Sequence, residues 1–185
     1  MKRRAMAAIA VLAFSGCGYN RIQTLDEQVN AYRSQIQVQL QRRADLVPNL
    51  VETVRGYARQ EQEIFTAVAE ARAKLGGAIQ SGSLPQMAQA NEALTGALGR
   101  LLAIAENYPQ LKSNENFRML QDQLEGTENR IATARQDYNN AVREYNAYVR
   151  QFPQVLTAKM IRAKEREYFE AAPGTAEAPA VDFRR

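Results

Sequence analysis

Arg42-Arg43-Ala44-Asp45-Leu46-Val47-Pro48-Asn49-Leu50-Val51 decides how this chain folds. A strongly helical apolar pattern runs into the stretch from Ile22, and another runs out of it to Ile79, yet a proline sits in its middle. Pro48 has no N–H, so the carbonyl of Ala44 loses its usual helical partner, and the proline ring crowds that carbonyl. The stretch therefore predicts a first helix kinked or briefly broken near Pro48, continuing on both sides. Asp45 is placed to cap the second segment, and Asn49 to return one hydrogen bond.

Upstream, Ile22, Leu25, Val29, Tyr32 and Ile36 recur at alternating steps of three and four, a heptad seam. Downstream, Leu46, Val47, Leu50, Val54, Tyr57, Ile64, Phe65, Val68 and Leu75 continue the apolar face until Gly76-Gly77 and Ser81-Gly82 weaken and turn it. Ser83-Leu84-Pro85-Gln86 reads as a capping box opening a second helix, which carries Met87, Leu94, Leu98, Leu101 and Tyr108 and ends at Pro109. Ser113-Asn114-Glu115 opens a third, with the cleanest seam: Phe117, Leu120, Leu124, Thr127, Ile131, Ala134, Tyr138, Ala141, Tyr145 and Tyr148. Phe152-Pro153 closes it. A short amphipathic helix is expected over 154–169, with Val155, Leu156, Met160 and Ile161 on one side. Short connections between long helices make neighbours antiparallel, and a seven-residue repeat gives slight left-handed supercoiling. The expected fold is thus all-α: an antiparallel helical bundle of three long helices and a short C-terminal one, spanning 17–170. Residues 171–185, rich in Ala and Pro, are expected to form a disordered tail.

With 185 residues the chain has the length of one domain. It contains no histidine and a single cysteine, Cys17. That excludes zinc sites built on His or Cys, histidine acid–base catalysis, and Ser-His-Asp or Cys-His nucleophiles. Glu52, Glu61 and Glu63 lack the spacing of a carboxylate di-iron site. No cofactor, no metal and no enzymatic activity are expected. The formal charge of +4 is concentrated at the N-terminus in Lys2, Arg3 and Arg4; without residues 1–16 it falls to about +1. A nearly neutral chain without a basic patch is not expected to bind nucleic acid.

Lys2-Arg3-Arg4 followed by the apolar run 5–14 fits a bacterial signal peptide over 1–16, too short to span a membrane. Phe14-Ser15-Gly16-Cys17 resembles a lipobox, which implies cleavage before Cys17 and acylation of its thiol and new amino group. Several acyl chains would hold the membrane firmly. The alternatives are an uncleaved anchor, or cleavage that leaves a free thiol. The expected location is the bacterial cell envelope. In a Gram-negative cell, Gly18 rather than aspartate after the cysteine favours the outer membrane.

Beyond these local patterns, Arg42-Arg43-x-Asp45-Leu46-Val47-Pro48-Asn49-Leu50-Val51-x-x-Val54-x-Gly56-Tyr57-Ala58 resembles the signature of the LemA family. Ser34-Gln35-Ile36-x-Val38-Gln39-Leu40 fits the same family, as do Tyr108-Pro109-x-Leu111, Tyr138-Asn139-x-x-Val142-x-x-Tyr145-Asn146, Phe152-Pro153, Tyr168-Phe169 and Pro179-x-Val181-x-Phe183. The resemblance covers nearly the whole chain from Tyr19. It implies an all-helical, membrane-tethered bundle of bacterial type and brings no active site. Two features depart from the family pattern: Tyr32 stands where tryptophan is common, and the N-terminus has the look of a lipoprotein rather than an uncleaved membrane helix.

Arg42, Arg43, Asp45 and Asn49 are the candidate partner-binding residues, beside the expected kink. The competing reading is a solvated face with a local cap and an ion pair, worth about 0.2–1 kcal/mol. Asn139 and Asn146, seven apart and each after a tyrosine, either read a polar ligand or are satisfied within the bundle. The expected function is a non-catalytic envelope lipoprotein, a scaffold or partner-binding bundle. Its partners would be the membrane, through lipid on Cys17, and an unknown envelope protein. The alternative is self-assembly as a homo-oligomer that organises or shapes membrane.

Overall fold

The computed structural model describes residues 2–170, with side chains from Gly18 onward. The side chains of residues 2–17, where the signal peptide and the lipidated Cys17 were expected, and the whole of residues 1 and 171–185, where the disordered tail was expected, lie outside the described residues. Six helices follow in order: α1 (Lys2–Arg55), α2 (Gln62–Ser81), α3 (Leu84–Ala105), α4 (Pro109–Lys112), α5 (Glu115–Arg150) and α6 (Gln154–Met160). No strand occurs among the described residues. The all-α antiparallel bundle anticipated from the heptads is what forms.

The first turn falls elsewhere than anticipated. Helix α1 carries Pro48 inside it and runs on to Arg55. The chain turns at Gly56–Glu61, so the expected helix to Ile79 is two helices. Two amides, those of Tyr57 and Ala58, converge on the carbonyl of Val54 at 3.0 and 2.9 Å. The guanidinium of Arg55 stacks 5.1 Å from the Phe65 ring centre, across the turn. Helix α2 then runs back along α1: the Nε of Arg72 donates to the carbonyl of Ala44 at 2.9 Å. This is the carbonyl that Pro48 leaves without a helical donor. A side chain from the next helix replaces the missing N–H, and the α-helix is not interrupted. Asp45 does not cap; its Oδ1 accepts from Gln41 Nε2 at 2.8 Å on the exposed side of α1.

The remaining boundaries follow local chemistry. Gly82 closes α2 in the left-handed conformation (φ 69°), which a residue without Cβ adopts at least cost. Ser83 caps α3 through its Oγ, accepting from the Gln86 amide at 3.5 Å, while Gln86 Oε1 is taken by Ser81 Oγ at 2.8 Å instead of the Ser83 backbone. Asn114 caps α5, its Oδ1 accepting from the Phe117 amide at 3.0 Å.

The chain forms two compact units. The first comprises residues up to Ile36 and Thr133–Tyr168. In it the early part of α1 lies antiparallel to the end of α5, with Ile22, Leu25, Val29 and Ile36 facing Ala134, Tyr138, Val142, Tyr145 and Val149 in a buried seam. The second comprises Gln37–Ala132 and, among the described residues that follow, 169–170. In it the end of α1, helices α2 and α3, and the start of α5 enclose Leu40, Val47, Leu50, Phe65, Leu75, Met87, Leu94, Leu101 and Ile131.

The C-terminal element is shorter than anticipated. Helix α6 stops at Met160, Arg162 takes a positive φ of 57°, and 163–170 carry no helix. Side chains in the first unit capture this backbone. Asn146 holds Arg166 from both sides: its Nδ2 donates to the Arg166 carbonyl at 2.9 Å, and its Oδ1 accepts from the Arg166 amide at 2.8 Å. Tyr138 donates its hydroxyl to the Glu167 carbonyl at 2.8 Å. The Arg166 side chain grips Asp26 Oδ1 through Nε and Nη2 at 2.9 and 2.7 Å. Burial works against the Arg166 charge, but the Asp26 carboxylate outweighs it and holds the guanidinium above its ordinary range.

Candidate functional site

The four residues singled out near Pro48 do not form one cluster. Helical geometry separates them. Arg42, Asp45 and Asn49 are exposed, as are Gln41, Pro48 and Glu52, so they share an outward face of α1. Arg43 points the other way and is buried, 5% exposed. On the outward face Asp45 is engaged by Gln41, and the Asn49 carbonyl accepts from Thr53 Oγ1 at 2.8 Å. The compensation anticipated from the Asn49 side chain is supplied by Arg72 instead. The outward face thus presents a cation, an anion and an amide beside the proline ring.

Arg43 belongs to an interior polar layer of the second unit. Its Nη1 donates to Asn91 Oδ1 of α3 at 2.8 Å and forms an ion pair with Glu128 of α5. Asn91 is itself buried, and Thr127, next to Glu128, is fully buried with its hydroxyl on the Leu124 carbonyl at 2.7 Å. Glu128 keeps one edge in solvent, its side chain 42% exposed. The layer ties three helices at one level. A signal for it was present in the sequence: Ile36, Leu40, Arg43, Val47, Leu50 and Val54 continue the seam without a slip, with Arg43 on it.

Asn146, read as either ligand-binding or internally satisfied, is internal. The Tyr138 and Tyr145 phenols of the same seam are pushed up from their ordinary value, chiefly by burial, and for Tyr145 also by Asp26. The clamp on Arg166 went unanticipated because it uses backbone groups, which sequence pattern does not display.

A groove of about 620 Å³ between α1 and α5 in the first unit is lined by Gln28, Tyr32, Asp137, Asn140, Arg143 and Glu144. Two of its charged side chains are engaged locally: Arg143 donates to Asn140 Oδ1 at 2.8 Å, and Glu144 pairs with Arg21. Among the described residues no three Cys, Asp or Glu side chains are gathered to hold a metal ion. No helix among them is long and apolar enough to cross a membrane.

The LemA family model matches residues 32–183, most of the chain and all of the Pro48 stretch. The chain belongs to the LemA family. It is similar to magnetosome protein MamQ 2 of Paramagnetospirillum magneticum, 32% identical over 191 aligned positions that cover 91% of this chain and 70% of that protein. It is also similar to magnetosome protein MamQ of Magnetospirillum gryphiswaldense, 33% identical over 178 positions, 84% of this chain and 65% of that protein. The LemA signature now has a physical reading. Arg43 supplies the buried polar layer, Pro48 the orphaned carbonyl, Leu50 and Val54 the seam, and Gly56-Tyr57-Ala58 the turn.

Proposed function

We propose that this LemA-family chain is a membrane-associated, non-catalytic component of the bacterial cell envelope. It is held by lipid on Cys17 and offers helix faces to a protein partner. The observation that carries the reading is the family match, in a chain whose first residues also resemble a lipoprotein signal. The relatives are named for an assembly, the magnetosome, which supports a role as one component among others. The outward face bearing Arg42, Asp45 and Asn49 is the recognition surface in this reading, since its side chains are exposed while Arg43 is committed to the interior.

Intact-mass measurement of protein extracted from membranes tests the attachment. Loss of residues 1–16 with added acyl mass is expected, and Cys17→Ala should alter processing or release the chain from the membrane fraction. An unprocessed, unacylated N-terminus would overturn the lipid attachment. A photo-crosslinker at Asn49 in living cells tests the partner. The expected result is a discrete protein adduct that disappears with Arg42→Glu and Asp45→Lys while helicity is kept; no adduct would sink the recognition surface.

A further inference from the structure

The α5–α6 elbow carries a feature that neither the bundle core nor the recognition face uses. Phe152, Leu156 and Met160 are 81%, 56% and 75% exposed. They are spaced four apart, so Leu156 and Met160 share one side of α6, and Phe152 lies a turn before it. Ala158, on the inward side, is buried, and Val155 and Ile161 are half-buried. The sequence pattern grouped Leu156 and Met160 with Val155 and Ile161 on one packed side. The structure separates them and turns the two larger side chains outward. Lone exposed apolar residues are ordinary, but three large ones in nine residues make a patch.

The place of this patch says what covers it. Helix α6 lies against the start of α1: a Cβ built at Gly18 would stand 3.4 Å from Gln154 Cγ and 3.8 Å from Thr157 Oγ1. Gly18 directly follows Cys17, so attachment of the N-terminus to a membrane puts α6 at the membrane surface. The charge agrees. Residues 152–164 contain Lys159, Arg162 and Lys164 and no acid, and all three cations are exposed. Apolar side chains flanked by lysine and arginine are the composition of helices that lie in a bilayer interface, cations among anionic headgroups and apolar groups below them. Tyr19, beside Gly18, is 47% exposed, and tyrosine favours the same interfacial depth.

We propose that the outward side of α6, with Phe152, Leu156 and Met160 flanked by Lys159, Arg162 and Lys164, is a docking surface for the anionic lipid leaflet that holds the N-terminus. This rests on the membrane attachment proposed above. The attachment then does more than retain the chain. With a second point of contact, the first unit has a fixed orientation on the membrane instead of swinging from a single residue.

The chain has no tryptophan, so one introduced indole reports its own surroundings. Full-length Phe152→Trp, isolated from membranes and reconstituted in phosphatidylethanolamine–phosphatidylglycerol vesicles, is compared in flotation and in emission with ordinary and brominated lipids. Leu156→Trp serves as a second reporter, and Val38→Trp, at a site 62% exposed, as a solvent reference. The expected result is co-flotation, blue-shifted emission at 152 and 156, and loss of that emission in brominated vesicles. Co-flotation with solvent-like, unquenched emission at both sites overturns the docking and leaves the attachment standing. Failure to float overturns both. A blue shift that grows with protein concentration and is untouched by brominated lipid assigns the face to a second copy of the chain and also overturns the proposal.

Discussion

Replacing Arg72 by alanine should destabilise the native chain by about 1 kcal/mol and should cost almost nothing once Pro48 is also alanine. The reasoning starts from one carbonyl. In an α-helix the Ala44 oxygen would accept from the amide of residue 48, and proline has none. Arg72 Nε donates to that oxygen at 2.9 Å. A hydrogen bond from a charged donor contributes about 1.5–3 kcal/mol. Arg72 is itself exposed and the bond only partly buried, so water competes for both partners and the figure comes down to about 1 kcal/mol. Pro48→Ala restores the amide, and the exposed site accepts the smaller side chain. The substitution alone should stabilise, by up to about 3 kcal/mol on the interior-proline scale. Arg72→Ala then removes a donor that is no longer needed. Guanidinium unfolding of the four proteins of this cycle, followed by helical circular dichroism, measures the coupling, expected near 1 kcal/mol. Additive effects, within about 0.3–0.5 kcal/mol, would refute the claim that Arg72 stands in for the missing amide.

Other consequences can be checked in the same way. Asn146→Leu removes both bonds to the Arg166 backbone; a loss of about 2 kcal/mol and faster limited proteolysis within 161–170 are expected. The Tyr138 and Tyr145 phenols have folded-state values raised above their ordinary value near 10. The stability they contribute is therefore complete below about pH 10 and is lost as pH rises through the folded-state values, because the unfolded chain releases the protons first. Thermal unfolding should show this alkaline decline, and Tyr138→Phe should make it shallower. Arg43→Ala leaves Asn91 buried without its donor and should cost about 2–4 kcal/mol. Arg43→Met with Asn91→Leu should return to within about 1 kcal/mol of the native chain, read from denaturant midpoints.

The helices were legible because apolar residues recur at steps of three and four, and each step is decided by side chains. The turn at Gly56–Glu61 was hidden by Pro48. A proline inside a helix is ordinarily the strongest local break, but Arg72, distant in sequence, offsets part of its penalty, and no local rule sees a donor that arrives from another helix. Gly56 and the convergence of two amides on the Val54 carbonyl then set the break. The candidate site was half legible. Arg42, Asp45 and Asn49 do lie on an exposed face, as their polarity suggests. Arg43 was read by its charge, whereas its heptad position put it inside. Position outweighed polarity because Asn91 and Glu128 stand opposite to receive the guanidinium.

The same competition explains why the chain after α6 is not helical. In the first unit only two long helices, the start of α1 and the end of α5, face each other, and two helices cannot enclose a seam on every side. A third layer is needed over Tyr138, Tyr145 and Asn146, and it must present donors and acceptors as well as apolar surface. The interior backbone groups of a further helix are already paired with one another. An extended segment keeps them free, and Asn146 and Tyr138 bond them directly at Arg166 and Glu167. The Arg166–Asp26 pair then fastens the same segment to α1. Burial of the first unit is thus completed by 161–168 together with the inward side of α6, where Ala158 is the buried contact. The outward side of α6 contributes nothing to that closure. Large apolar residues at Leu156 and Met160 on a side the core does not use call for a reason outside the core, and the lipid surface proposed next to Gly18 would supply one.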